Sequence, residues 1–298
     1  MRNSKIFNDL LGTLKEKVEL LPDKPEETYE STLSALWLLA CNIPVSAEQA
    51  MLRSLPGLDD DQLSYLKKLI SKRIDGVPLA HITGRQQFLG VELITNGKAL
   101  IPRKETEILG NAALKILEEI SGKKKEITAF DLCCGAGNLA VSLSVKVPEV
   151  IFYASDLSEE AVELARENIV LHGLENRIKI APGSVFQAFD TKKFYHQVDL
   201  IICNPPYISD SKVPKMAKEI SDHEPDLAFN GGMLGLAVIR ELIRNAARFL
   251  KDDGWLLFEV GLGQGDFVKD LCARTALYRE IDSVTDTNGN IRVIKARK

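Results

Sequence analysis

From residue 127 onward, short apolar runs alternate with stretches of helical spacing, and no other feature restricts the fold as much. The runs at 127–132, 151–155, 178–181, 198–203 and 255–260 have strand length. Strands that alternate with helices of ten or more residues predict a parallel sheet covered by helices on both faces. The end of the chain departs from this rhythm. Residues 281–284 and 291–294 form two strands separated only by Asp286-Thr287-Asn288-Gly289-Asn290, a hairpin connection, so the last strand is expected to run antiparallel to the rest.

The N-terminal quarter reads differently, since from residue 6 to 74 every segment has helical spacing. Phe7, Leu10, Leu11, Leu14 and Val18 lead, followed by Leu36, Leu39 and Ala40, then by Leu63, Leu66 and Ile70. Pro22-Asp23-Lys24-Pro25, Ile43-Pro44 and Pro56-Gly57 divide the helices, and Ser46 with Gln49 and Asp59 with Gln62 have the spacing of N-terminal capping pairs. This is a small helical bundle without a cluster of chemically active side chains, which suits recognition or support. Between residues 84 and 102 short extended runs appear, 87–89 and 91–94, joined through Asn96-Gly97 to 99–101. The Asn-Gly pair predicts the hairpin turn there. A helix is expected over 105–120. The domains are therefore drawn at 1–84, 85–102 and 103–298.

Composition narrows the function classes. The chain has 298 residues, 45% hydrophobic, and no apolar run approaching the ~20 residues of a membrane span; its N-terminus lacks the apolar core of a signal peptide, which leads us to expect a cytoplasmic monomer. A formal net charge of -4 argues against a protein that tracks a phosphate backbone, so no direct nucleic-acid partner is expected. The five cysteines (Cys41, Cys133, Cys134, Cys203, Cys272) lack zinc-site or redox-pair spacing, and His81, His172 and His196 pair with no nucleophile or ligand set, so no metal is expected.

Two segments carry candidate chemistry. Asp131-Leu132-Cys133-Cys134-Gly135-Ala136-Gly137 follows a strand and opens a helix, so its glycines can let the backbone approach a ligand at the sheet edge. About twenty residues later Asp156 ends the next strand, the spacing of an acid that accepts hydrogen bonds from a ribose; Ser158 is the better cap for the helix over 159–171, which leaves Asp156 free for the ligand. The second segment is Asn204-Pro205-Pro206-Tyr207, directly after the strand 198–203. Two prolines stiffen the loop and lack N–H groups, so the Asn204 side-chain oxygen and the Pro205 carbonyl stand as acceptors for the two hydrogens of a planar NH₂ group, with Tyr207 as an aromatic wall.

Asn204 to Tyr207 resembles the signature of methyltransferases that act on planar NH₂ nitrogens. Leu100-Ile101-Pro102-Arg103-Lys104-Glu105-Thr106-Glu107 resembles a segment of the peptide chain release factor glutamine methyltransferase family. Glu224-Pro225-Asp226-Leu227-Ala228-Phe229-Asn230-Gly231-Gly232, Pro78-Leu79-Ala80-His81-Ile82-Thr83-Gly84 and Asp286-Thr287-Asn288-Gly289-Asn290-Ile291-Arg292 are similar to further stretches of it. The resemblance runs from about Pro78 to Val293 and implies a class I S-adenosylmethionine methyltransferase fold of α/β type, a mostly parallel seven-stranded sheet with an antiparallel last strand, preceded by the helical bundle. It implies that S-adenosylmethionine is held by Asp131, Cys133, Cys134, Gly135, Ala136, Gly137, Asp156, Leu157, Ser184, Val185 and Asn204, and is converted to S-adenosylhomocysteine. A release-factor glutamine amide would lie on Asn204, Pro205, Pro206 and Tyr207, with Phe88 near the reacting methyl; Asn204, Pro205 and Tyr207 would be catalytic, and the N-terminal bundle would dock the partner protein. Arg103 and Glu107 either face the site or form an ordinary ion pair at the helix start.

The sequence departs from the family pattern at four places. Cys133 replaces a glycine, Ser184 stands where an acid near the adenine is usual, Leu234 replaces an Asp and Lys104 a proline. These departures keep a small-molecule acceptor in view, alongside a ribosomal-protein glutamine, a nucleic-acid adenine and a non-catalytic binding module.

Overall fold

The computed structural model describes residues 2–206, 224–225 and 236–298. Five helices come first: α1 (Arg2–Lys17), α2 (Tyr29–Ala40), α3 (Ala47–Met51), α4 (Asp60–Ile74) and α5 (Leu79–Thr83). Both expected caps are present. The Asp59 side chain accepts from the Gln62 N–H and the Gln62 side chain accepts from the Asp59 N–H, while Ser46 Oγ accepts from the Gln49 N–H. The helices close on a core of their own around Leu14, Leu33, Leu36, Trp37, Leu66 and Leu69. Trp37 is fully buried and its indole N–H donates to the Pro56 carbonyl at 2.9 Å. Burial of such a ring removes about 200 Å² from water, roughly 5 kcal/mol before entropy, and the hydrogen bond cancels the cost of its one polar atom.

A hairpin follows, β1 (Arg85–Phe88) and β2 (Val91–Ile94), paired from Arg85↔Ile94 to Phe88↔Val91. Its turn is Leu89-Gly90, not Asn96-Gly97. Both turn residues have positive φ (50° and 77°), the conformation that matches the twist of a two-residue hairpin loop. The Asn96 side chain instead accepts from the Lys98 N–H in a local turn, and residues 99–101 form no strand. The reason lies in a distant side chain: Asn168 accepts from the Ile94 N–H at 2.7 Å and donates to the Ile94 carbonyl at 3.1 Å, occupying the groups a third strand would need.

The remainder is the expected α/β layer structure, with α6 (Thr106–Ser121), β3 (Ile127–Leu132), α7 (Asn138–Lys146), β4 (Val150–Asp156), α8 (Glu159–Leu171), β5 (Ile178–Pro182), β6 (Val198–Cys203), α9 (Ala237–Phe249), β7 (Leu250–Glu259), α10 (Gly265–Arg274), β8 (Glu280–Thr285) and β9 (Ile291–Arg297). The seven-stranded sheet has the order β5-β4-β3-β6-β7-β9-β8, and β9 runs antiparallel to both neighbours while the other pairings are parallel. Period-two alternation divides the core. Ile127, Ala129, Leu200 and Ile202 face the layer of α6 and α7, whereas Phe130, Leu132, Ile201 and Cys203 face α9 and the aromatic group of Phe186, Phe189, Phe194 and Phe249. Strand order reverses at β3, so the carboxyl ends of β3, β4 and β6 open a crevice where ligands of such sheets bind. Among the described residues no helix is long and apolar enough to cross a membrane.

Candidate active site

The crevice holds a cavity of about 970 Å³, open solvent at its mouth included. Its floor is the turn between β3 and α7. Three of the five residues Cys133 to Gly137 have positive φ: Cys133 57°, Gly135 53° and Gly137 76°. Glycine adopts this conformation freely, and Cys133 adopts it at a cost of roughly 1–2 kcal/mol. The turn is nevertheless held from several sides. The Gly135 N–H donates to Asp156 Oδ2 at 2.8 Å, the Cys134 N–H to the Ser155 carbonyl at 3.0 Å, and the Ala140 N–H to Asp131 Oδ2 at 3.0 Å. From α8, Asn168 donates to the Ala136 carbonyl at 3.0 Å. At Gly135 the place of an absent Cβ meets no atom within 4 Å, so backbone lies bare against open space.

Asp156 stands at the end of β4 and lines the cavity, and it is not free in the way its spacing suggested. Its Oδ1 accepts from the Ser158 N–H at 2.9 Å while Oδ2 holds Gly135, so the carboxylate shapes the glycine turn as well as facing the ligand space. Each oxygen keeps a second lone pair. Burial holds its carboxyl above the usual carboxylate range, against the lowering effect of these N–H groups. Ser158 caps α8 as expected, accepting from the Ala161 N–H. On the adjoining wall, Ser155 Oγ donates to the carbonyl of Val185, which itself has a positive φ of 42°.

Cys133, Cys134, Gly135, Asp156, Leu157, Ser184, Val185, Asn204 and Pro206 all line this one cavity. Asp131, Ala136, Gly137 and Pro205 do not. Asp131 is fully buried behind the turn with Oδ1 unpartnered among the described residues, and burial, opposed by the Ala140 N–H and assisted by the charge of Asp156, raises its carboxyl to about 7. Gly137 is the left-handed N-cap of α7, packed at the Ala165 side chain. Phe88, expected beside the reacting methyl, is instead fully buried in the core on the α6 side and forms no part of the cavity lining: its place on β1 turns the ring inward, and its carbonyl accepts from Ser142 Oγ. Tyr207, His223, residues 226–232 and Leu234 lie outside the described residues.

Asn204 follows the last residue of β6. Its Nδ2 donates to Thr106 Oγ1 at 3.3 Å, and its Oδ1 is buried at the cavity without a partner among the described residues. Such an acceptor costs about 1–3 kcal/mol unless something donates to it. Arg103 and Glu107 divide between the two readings, Arg103 facing the cavity and Glu107 pairing at the helix start. Arg103 is a cavity residue that pairs with Glu224, and Glu224 also accepts from the Ile101 N–H at 3.0 Å. Burial raises the Glu224 carboxyl despite the neighbouring Arg103 charge. Glu107 accepts from the Leu89 N–H at 2.9 Å and from Lys104, which bridges to Glu48 of α3 at 2.8 Å. Thr106, Pro102 and Leu100 also line the cavity. Sequence reasoning passed over Thr106 and Glu224 as contacts, although both lie within segments singled out for their pattern. His172 Nε2 lies 2.8 Å from the Glu92 carbonyl and His196 Nδ1 2.8 Å from Lys298 Nζ. Among the described residues no group of His, Cys, Asp or Glu has the arrangement of a metal site.

Known proteins resemble this chain in sequence and in fold. Residues 109–237 match the family described as Methyltransferase small domain, and residues 23–84 match the PrmC N-terminal domain. The release factor glutamine methyltransferase of Thermodesulfovibrio yellowstonii is 34% identical over 82% of this chain and 84% of its own length. That of Bradyrhizobium diazoefficiens is 31% identical over 90% and 89%. Among solved structures, the hMettl16 catalytic domain in complex with the MAT2A 3′UTR hairpin 6 superposes with a TM-score of 0.54 at 14% identity, covering 82% of this chain and 83% of that one, a likeness of fold.

Proposed function

The chain belongs to the release factor glutamine methyltransferase family, and from that premise we propose that it transfers a methyl group from S-adenosylmethionine to the side-chain amide nitrogen of a glutamine in a peptide chain release factor. The observation that carries the acceptor side of this reading is Asn204 Oδ1, buried at the cavity without a partner among the described residues. A buried acceptor that the protein leaves unsatisfied is complementary to a substrate that donates, and a primary amide donates through both hydrogens.

The cavity's make-up fits the cofactor. The bare backbone at Gly135, the Asp156 carboxylate, and the Ser184 and Val185 wall are the residues that would hold it. When bound it supplies a methyl group made electrophilic by a positive sulfonium. The protein's own part is placement. An amide nitrogen is a weak nucleophile because its lone pair is delocalised into the carbonyl. Asn204 Oδ1 accepts one N–H, which favours electron density on nitrogen and aims it into the cavity. As the new C–N bond forms the nitrogen becomes acidic and its proton leaves to solvent, so no general base is required. In this reading the residues 1–84 dock the release factor, residues 85–102 connect, and residues 103–298 carry the reaction in the cytoplasm, where termination of translation takes place.

The test is mass spectrometry of a purified release factor incubated with the protein and S-adenosylmethionine. One added methyl group on a single glutamine is expected with the wild type and none with Asn204→Ala, whose cofactor affinity should stay within about threefold. An unmodified release factor, or full activity in Asn204→Ala, would overturn the proposal.

A further inference from the structure

We propose that Thr106 is a positioning residue which fixes the end of the Asn204 amide that faces the cavity, and thereby makes the site select a substrate NH₂ group over an acceptor such as a carboxylate. This rests on the reading of the site given above.

The two ends of a primary amide have nearly the same size, so packing around Asn204 does not distinguish them; hydrogen bonding does. Among the described residues the amide has a single hydrogen-bond partner, Thr106 Oγ1, which accepts from Nδ2 at 3.3 Å. With Nδ2 engaged there, Oδ1 is the end left at the cavity. The reverse orientation would present two N–H donors and favour a carboxylate or carbonyl oxygen. A threonine hydroxyl both gives and accepts, so the choice depends on where its own hydrogen goes. In the first turn of a helix it can pass that hydrogen to a carbonyl three or four residues back, which leaves its lone pairs for Asn204.

Thr106 can serve as a reference point because its own place is over-determined. It is the first residue of α6, is 2% exposed, and its N–H donates to the Arg103 carbonyl at 3.2 Å. The residues on either side are tied to three different parts of the chain: Arg103 to Glu224, Lys104 to Glu48, and Glu107 to the Leu89 N–H. The start of α6 therefore brings a fixed hydroxyl to a loop that follows β6, across 98 residues of sequence.

Thr106→Val keeps the shape and removes the acceptor. It should lower kcat for release-factor methylation by about 10- to 100-fold, the scale of a misplaced reacting group, with KM for the release factor and Kd for S-adenosylhomocysteine changed by less than about threefold. Thr106→Ser, which keeps the oxygen, should stay within about threefold of wild type. A second readout reports the amide orientation itself. A release factor with the target glutamine replaced by glutamate should bind the wild type about tenfold more weakly than the glutamine form, and Thr106→Val should bring the two affinities close together. Undiminished kcat in Thr106→Val, failure of the serine variant to preserve activity, or an unchanged affinity ratio would each overturn the role of Thr106 while leaving glutamine methylation intact. A wild type that methylates no glutamine would remove the underlying reading and this inference with it.

Discussion

Asp131 shows how a residue can brace a turn whose cavity it does not line. Its carboxylate sits behind the β3–α7 turn, accepts from the Ala140 N–H and is fully buried, with its carboxyl raised from 3.8 to about 7 chiefly by loss of water. The sign of its pH effect follows. Between those two values the folded chain retains a proton that the unfolded chain has released, so Asp131 lowers stability progressively as pH rises from about 4 to about 7 and the loss persists above. Asp131→Asn keeps an acceptor for Ala140 and carries no charge. Its melting temperature should therefore gain on wild type as pH is raised from 5 to 8, and parallel melting profiles across that range would contradict the assignment. Asp131, Asp156 and Asn204 were all singled out from their places at the ends of strands. Their division into support, turn-builder and cavity acceptor was not, because it depends on which oxygen meets which N–H.

Elements were legible where the signal is local. The capping pair Asp59 and Gln62, the Ser158 cap of α8 and the hairpin over Asp286 to Asn290 all formed as read, since each is decided within five residues. The β1–β2 turn was misplaced because Asn96-Gly97 carries a stronger local turn signal than Leu89-Gly90, whereas Asn168 on α8, 74 residues away, holds the Ile94 edge. Close approach between elements is equally invisible in a sequence. At Gly265, the first residue of α10, an added Cβ would come within 2.4 Å of Ile291 Cβ on β9. Ile291 is β-branched and has little rotamer freedom with which to yield. Gly265→Ala should cost about 1–3 kcal/mol in denaturant unfolding, seen as a lower midpoint with an unchanged slope. A midpoint equal to wild type would show that helix and strand can separate without penalty.

Across the molecule, the helical segment is joined by polar contacts to the β1–β2 hairpin and to the segment before α6. Glu92 on β2 accepts from both the N–H and the hydroxyl of Ser46, at 2.9 and 3.1 Å, and Gln86 on β1 donates to Glu26 at 2.8 Å. Lys104, two residues before Thr106, reaches Glu48 on α3. Glu92→Ala leaves the buried Ser46 N–H without its acceptor, a loss of about 1.5–3 kcal/mol. Hydrogen–deuterium exchange should then quicken at α3 and β2 while β3 and β6 remain protected; equal protection throughout would show that this seam does not couple the two parts.

Periodicity, turn chemistry and the asparagine–proline segment by themselves determined the helical first quarter, the mostly parallel sheet with its antiparallel last strand, and the loops that carry the site. These are short-range properties, written in residues a few positions apart. Only the tertiary structure decided that Phe88 belongs to the core, that Glu224 neutralises Arg103, and that Thr106 meets Asn204. Each joins residues that no local rule connects: Phe88 is placed by apolar burial against other elements, and the two polar contacts form because a buried polar atom must find a partner wherever the packed elements bring one within reach.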